Sequence, residues 1–184
     1  MHFAIARLLT KQYDSMVIKS KVSFKEYLKL LYSLTYKKPV MRLIVFVAFA
    51  MLVWIVGYYT KILPLPEPTF YQYITLVLIT IVQPAVIYYT IWKNYHSSYH
   101  LKEILEIEFT PKEIKISGES FYTVFTWEKT YKVQELNNWF LIYQNSLSAI
   151  IIPKKSLRNQ IKEFRQLLQE TRTVPLHLKT NTSR

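Results

Sequence analysis

Two histidines, His96 and His100, stand four residues apart, the spacing that sets two imidazoles on one face of a helix and can seat a zinc ion. No third ligand type clusters with them. They follow an apolar run that ends at Trp92, so a polar face at a membrane–water interface is the better reading. A second titratable group, Glu103, Glu106, Glu108 and Glu113, has the density that acid–base work needs. Alternation of apolar and polar residues puts Glu106 and Glu108 on the solvent face of a strand, a position suited to solvation rather than proton transfer. The only glycines, Gly57 and Gly118, cannot build a phosphate-cradling loop or a dinucleotide fingerprint. Cysteine is absent, which removes disulfides, thiolate metal sites and a thiol nucleophile. The chain therefore reads as non-enzymatic, with no catalytic, metal or cofactor site expected.

What remains as chemistry is positive charge. Lys and Arg number 24 against 12 Asp and Glu, a net charge of +12. That balance favours contact with phosphate, on nucleic acid or on anionic lipid. The densest groups are Lys37, Lys38 and Arg42, and then Lys154, Lys155 and Arg158. The first group flanks a long apolar run and the second the start of a helix, while the other lysines are dispersed. This placement suits anionic lipid headgroups, at about 1 kcal/mol per cation near the surface, or a protein partner, and argues against nucleic acid.

The elements that must position these residues begin with two apolar runs. Leu43 to Thr60 is 18 residues without a charge, and Thr69 to Trp92 is 24. At 1.5 Å per helical residue these reach roughly 27 and 36 Å, enough for a hydrocarbon core of about 30 Å. Trp54, Tyr58, Tyr59, Phe70, Tyr71, Tyr73, Tyr88, Tyr89 and Trp92 mostly fall where an aromatic belt belongs. Between the runs lies KILPLPEP, Lys61 to Pro68, whose three prolines forbid a continuous helix and predict an antiparallel hairpin. Residues 1–42 carry nine Lys/Arg and two acids, and residues 93–184 carry fourteen and nine. With a short, near-neutral loop between the runs, this asymmetry places both termini in the cytoplasm. Gln83-Pro84 predicts a kink in the second run.

Around this hairpin the patterning changes. Val17 to Val22 alternates as a strand, and Ser23 with Glu26 forms a capping box that opens an amphipathic helix bearing Phe24, Tyr27, Leu28, Leu31 and Leu34 on one face. After Trp92, short runs at 104–109 and 113–117, which alternate, and at 121–127, 131–136, 139–144 and 149–152, separated by turn residues at regular spacing, predict an antiparallel meander. Residues Ala149 to Ile152 are continuously apolar, which predicts burial on both faces. From Leu157, with Ser156 as N-cap, apolar residues recur at helical spacing through Leu168. The predicted architecture is a membrane α+β protein: a two-helix transmembrane hairpin plus a small antiparallel β-barrel or meander, closed by a C-terminal helix, with the strand count of a pleckstrin-homology (PH) domain. The segments are an N-terminal extension (1–16), a strand and juxtamembrane helix (17–42), the hairpin (43–92), the cytoplasmic β domain with its helix (93–170) and a flexible tail (171–184). Clear patterning begins near Met16, which makes Met16 an alternative to Met1 as the start of translation.

VSFKEYLKLLYSLTYKKPV before a two-span hairpin, followed by FTWEKTYKVQELNNWFLIYQNSLSAIIIPKKSL and a short helix, resembles the bacterial YcxB-like proteins. Trp127, the run Trp139 to Tyr143, Ile151 to Lys154 and Phe164 carry the likeness. The resemblance implies a bacterial inner-membrane protein with a small PH-like cytoplasmic domain, and it carries over no catalytic residues. Three functions follow as expectations. The first is a membrane-tethered binding or scaffold module for a partner protein or anionic lipid headgroup. The second is an immunity protein that neutralises a membrane-acting or co-encoded toxin, which gene neighbourhood would reveal. The third is an accessory subunit of a larger membrane complex.

Overall fold

A computed structural model describes residues 15–62, 64–146, 148–171 and 175–178. The N-terminal extension up to Asp14 and most of the tail lie outside the described residues. The chain divides into two compact units: Ser23–Ser98, and the residues before Ser23 together with those after Ser98.

The first unit is helical. α1 (Phe24–Lys37) opens where the capping box predicts, the Ser23 N–H donating to Glu26 Oε2 at 3.2 Å and its hydroxyl donating to the same oxygen at 2.8 Å. α2 (Pro39–Thr60) starts with Pro39 at its first turn, where a missing N–H costs nothing, and stops at Lys61 in the left-handed region with φ 56°. α3 (Phe70–Ser97) opens on a second capping box, the Thr69 N–H donating to Gln72 Oε1 at 2.7 Å. Inside α3, residues Leu78–Val82 form a π-helical turn directly before Gln83-Pro84, and the Gln83 N–H reaches back to Leu78 O. Pro84 has no N–H to offer the preceding turn, and the wider turn absorbs that irregularity.

The second unit holds the strands: β1 (Met16–Ser20), β2 (Leu105–Phe109), β3 (Glu113–Ser117), β4 (Tyr122–Thr126), β5 (Lys132–Glu135), β6 (Trp139–Tyr143), β7 (Ala149–Pro153) and β8 (Leu176–His177). All seven predicted strands are present within a residue or two of their expected ends. β1, far upstream in sequence, pairs antiparallel with β2 from Met16↔Phe109 to Ser20↔Leu105. The strands do not close into the predicted barrel. They form two four-stranded sheets, ordered β1-β2-β3-β4 and β7-β6-β5-β8. A 3₁₀ turn at Trp127–Lys129 turns the chain out of β4 before β5 begins, and β1 and β7 are edge strands. β8 comes from the segment predicted to be a flexible tail; it pairs parallel with β5 through Val133↔Leu176 and Gln134↔His177.

α4 (Ile161–Glu170) fills one end of this unit with Phe164, Leu167 and Leu168, all buried. The Phe164 ring meets Phe109 at 4.9 Å and Phe140 at 5.0 Å, so one aromatic joins both sheets to the helix. Trp127 is buried beside Phe109, and its indole N–H donates to Thr110 O at 2.8 Å. The helix starts later than predicted. Pro153 leads instead into one helical turn, Lys154–Leu157, and a 3₁₀ turn, Arg158–Gln160, so Ser156 sits inside a turn rather than capping α4. Ile152 and Pro153 are buried as expected, but Ala149, Ile150 and Ile151 remain partly exposed. The reason lies at the other end of the sheets.

Candidate functional site

α4 occupies the end of the β unit marked by Phe109 and Phe140. At the opposite end of the same strands the two sheets part around a cleft of about 330 Å³. Its lining includes the register partners Ser20 and Leu105, with Ile116 and Phe121 from the same sheet and Ala149, Ile150 and Ile151 from β7. Alternating side chains point to opposite faces of a strand, so a cleft touching three consecutive residues lies along the edge of β7. The hydrogen-bond phase places its backbone groups. The Gln144 N–H donates to Ser148 O and the Lys154 N–H to Asn138 O, so Ser148, Ile150 and Ile152 are the residues of this strand bonded to β6. Ala149 and Ile151 therefore turn their N–H and C=O groups away from β6. Pro153, next in that phase, lacks an N–H, as suits an edge.

Four polar residues, Ser20, Glu103, Thr123 and Gln144, stand at the cleft. Ser20 is 1% exposed, and its hydroxyl has no hydrogen-bond partner among the described residues. It occupies the third inward position of β1 after Met16 and Ile18, where alternation alone predicts an apolar residue. Glu103 is held by the Ser120 N–H at 3.1 Å and by the Ser120 hydroxyl. Gly118 makes this packing possible: a Cβ there would strike Glu103 Oε2 and come within 2.6 Å of the Phe121 ring.

The predicted basic residues fall in both units. Lys37 ends α1, Lys38 links the two helices, and Arg42 lies in the first turn of α2 with its N–H on Lys38 O at 3.1 Å; all three side chains are exposed. Lys154, Lys155 and Arg158 gather in the turns between β7 and α4, Lys155 and Arg158 exposed and Arg158 at φ 45°. Lys154 is occupied differently. Its ammonium binds the carboxylate of Glu135, whose side chain is fully buried, and lies 5.1 Å from the Phe140 ring centre. Arg165 of α4 grips the same carboxylate with two bonds, Nε to Oε2 at 3.1 Å and Nη2 to Oε1 at 2.6 Å. Burial pushes the Glu135 carboxyl up, but the hydrogen bonds from Arg165 and Lys154 outweigh it and hold the group below its ordinary value. Sequence reading missed this network, although the signal was present: Glu135 stands two residues from buried Val133 and so shares its inward face.

The other titratable candidates are placed on surfaces. Glu106 meets Lys19 at 3.7 Å and Glu108 meets Lys115 at 3.5 Å across neighbouring strands, while Glu113 also meets Lys115, at 3.4 Å. These are exposed or half-exposed pairs of small energetic weight, two of them cross-strand and the third, Glu113 with Lys115, within β3. His96 stacks on Trp92 with ring centres 4.7 Å apart and its Nδ1 lies 2.9 Å from Trp92 O. The side chain of His100 lies outside the described residues, and among the described residues no group of three or more metal-ligating side chains occurs. In the helical unit, Gln83 Nε2 donates to Met41 Sδ at 3.0 Å and the Tyr32 hydroxyl to Pro84 O at 2.6 Å, so the polar pair in α3 serves helix packing.

With this geometry in place, comparison with known proteins gives one match. Residues 109–168, from the end of β2 into α4, match the family model described as YcxB-like protein. The match takes in Trp127, the β6 run, the Ile151–Lys154 segment and Phe164, and leaves out β1 and both apolar helices. No curated protein and no solved structure matches the chain.

Proposed function

We propose that this chain is a non-enzymatic integral membrane protein of the bacterial inner membrane, whose two apolar helices anchor a PH-like cytoplasmic β unit that binds a partner protein or anionic lipid headgroups. The outward apolar surface of α2 and α3 carries the reading. Both helices are long and apolar enough to cross a bilayer, and Phe46, Phe49, Tyr71 and Ile81 are each more than 60% exposed. A core helix of a water-soluble protein would bury such side chains; hydrocarbon is the solvent that suits them. The excess of Lys and Arg outside the hairpin supports a cytoplasmic location for both termini. Lys37, Lys38 and Arg42, exposed at the outer end of α2, are then set where anionic headgroups begin. On the β unit, exposed Arg158 is a better candidate for an external contact than Lys154, whose charge is matched by Glu135, and Lys155 is the other exposed cation of that group.

Affinity purification of the full chain from native membranes, with mass spectrometry of proteins and lipids, tests this reading. A reproducible partner, or enrichment of anionic lipid that is lost in a Lys37→Glu/Lys38→Glu/Arg42→Glu variant, is the expected result. Recovery of neither overturns it.

A further inference from the structure

The cleft at the open end of the β unit has a chemistry of its own. Its walls are largely apolar, it is at the lower end of the roughly 300–1,000 Å³ range of ligand sites, and it lies along a strand edge. An acyl chain or other purely apolar guest would satisfy the walls but give no hydrogen bonds to the outward N–H and C=O groups of Ala149 and Ile151, which have no strand partner among the described residues. The guest that answers both features is another backbone in extended form. It repeats its own donors and acceptors at the strand period and sends alternate side chains to one face.

The geometry points to a peptide-binding site at this cleft: an extended apolar segment of a partner protein adds to the outer edge of β7, pairs with Ala149 and Ile151, and places a side chain over Leu105, Ile116 and Phe121. This rests on the reading of the β unit as a binding module and names its partner chemistry. The edge available is short, because Pro153 ends its donors at one side and the turn at Asn145-Ser146 lies at the other. Two outward-facing residues give up to four main-chain hydrogen bonds, so side-chain burial in the cleft supplies the rest of the affinity and the sequence preference.

The test uses the full chain in lipid nanodiscs and a displayed library of short random peptides. Enriched peptides should alternate apolar residues, and hydrogen exchange with bound peptide should show the Ala149 and Ile151 amides slowed about tenfold or more. Methylating the peptide's alternate backbone nitrogens should abolish binding without any change to the protein. An Ile151→Pro variant, which removes an outward donor while sparing the bonds to β6, should weaken it about tenfold. Failure to enrich such peptides, binding indifferent to N-methylation, or protection confined to residues outside β7 overturns the strand-addition site. If native membranes nonetheless yield a partner or an anionic lipid, the binding-module reading survives that failure. If decanoate alone protects Leu105 and Ile116 and no peptide competes, the cleft is an acyl site and the proposal is wrong.

Discussion

Two helices show how the two units differ. α4 carries three buried apolar residues, Phe164, Leu167 and Leu168, on one face, with charged and polar residues on the others. α2 is apolar all round and buries only Ala48 and Gly57. Both are regular helices, yet one is amphipathic because its two sides meet a protein core and water, and the other is uniform, as the proposed hydrocarbon surround requires. Apolar content therefore reports burial only when the solvent is known. In the β unit the apolar residues drive folding, whereas in the helical unit, on the proposed membrane reading, they match the protein to hydrocarbon and leave cohesion to a few polar and small contacts such as Gln83 to Met41 and Tyr32 to Pro84.

The largest effect should come from breaking the first half of this contrast. Phe164→Ala removes the ring that joins Phe109 to Phe140 in a fully buried site and should cost the β unit about 3–5 kcal/mol. Hydrogen exchange of the full chain should then show β2 and β6 losing protection together while α2 keeps its own. Loss of protection in α2 as well would mean that the two units fold as one. Glu135→Ala should cost a similar or slightly smaller amount, about 3–5 kcal/mol, by leaving Lys154 and Arg165 facing an empty buried site. Replacing all three by Leu, Met and Leu should recover most of that loss. The same network predicts acid sensitivity. Because the folded carboxyl sits below the unfolded value of about 4.3, its contribution is complete above that pH and disappears as pH falls through the lower folded value. Glu135→Gln should flatten this part of the stability curve.

The second half of the contrast is tested by charge. Phe49→Arg, near the middle of α2 and 62% exposed, should disfavour membrane insertion by about 3 kcal/mol. Tyr122→Arg, equally exposed at 64% on a sheet, should change stability by no more than about 0.5 kcal/mol. Insertion assays and melting of the β unit give the two readouts. If Phe49→Arg proves as harmless as Tyr122→Arg, the exposed face of α2 is not facing hydrocarbon.

Much of this organisation was legible in the sequence because it depends on local period. The capping box at Ser23 and Glu26, the two apolar helices, and strands as short as Glu113–Ser117 all follow from spacing. What was not legible depends on partners far apart in the chain. Barrel closure requires β1 and β7 to pair, and nothing within either strand states that they remain edges. β8 was hidden because two residues give no period, and its partner β5 lies some forty residues away. The Ala149–Ile152 run was read as buried on both sides, yet the open cleft leaves its first three residues partly exposed. Lys154 looked like a surface cation because its buried counter-charge, Glu135, belongs to another strand.

A smaller loss than that of Phe164→Ala tests how tightly the open end is built. Gly118 has an ordinary backbone conformation, so its requirement is space and not φ. Gly118→Ala would put a methyl group into Glu103 Oε2 and within 2.6 Å of the Phe121 ring. The carboxylate can swing away at little cost, but doing so loses the two hydrogen bonds from Ser120, and the ring must shift into the cleft it lines. A net loss of about 1–3 kcal/mol is expected from such overpacking, below that of Phe164→Ala because this end is not filled. The sharper consequence is for binding. With Phe121 displaced, peptide affinity should fall although β7 and its outer edge are untouched, and a Ser120→Ala variant, which removes the hydroxyl bond to Glu103 but keeps the backbone one and leaves the ring in place, should bind close to normally. If the two variants bind alike, Phe121 is not the surface on which the guest side chain rests.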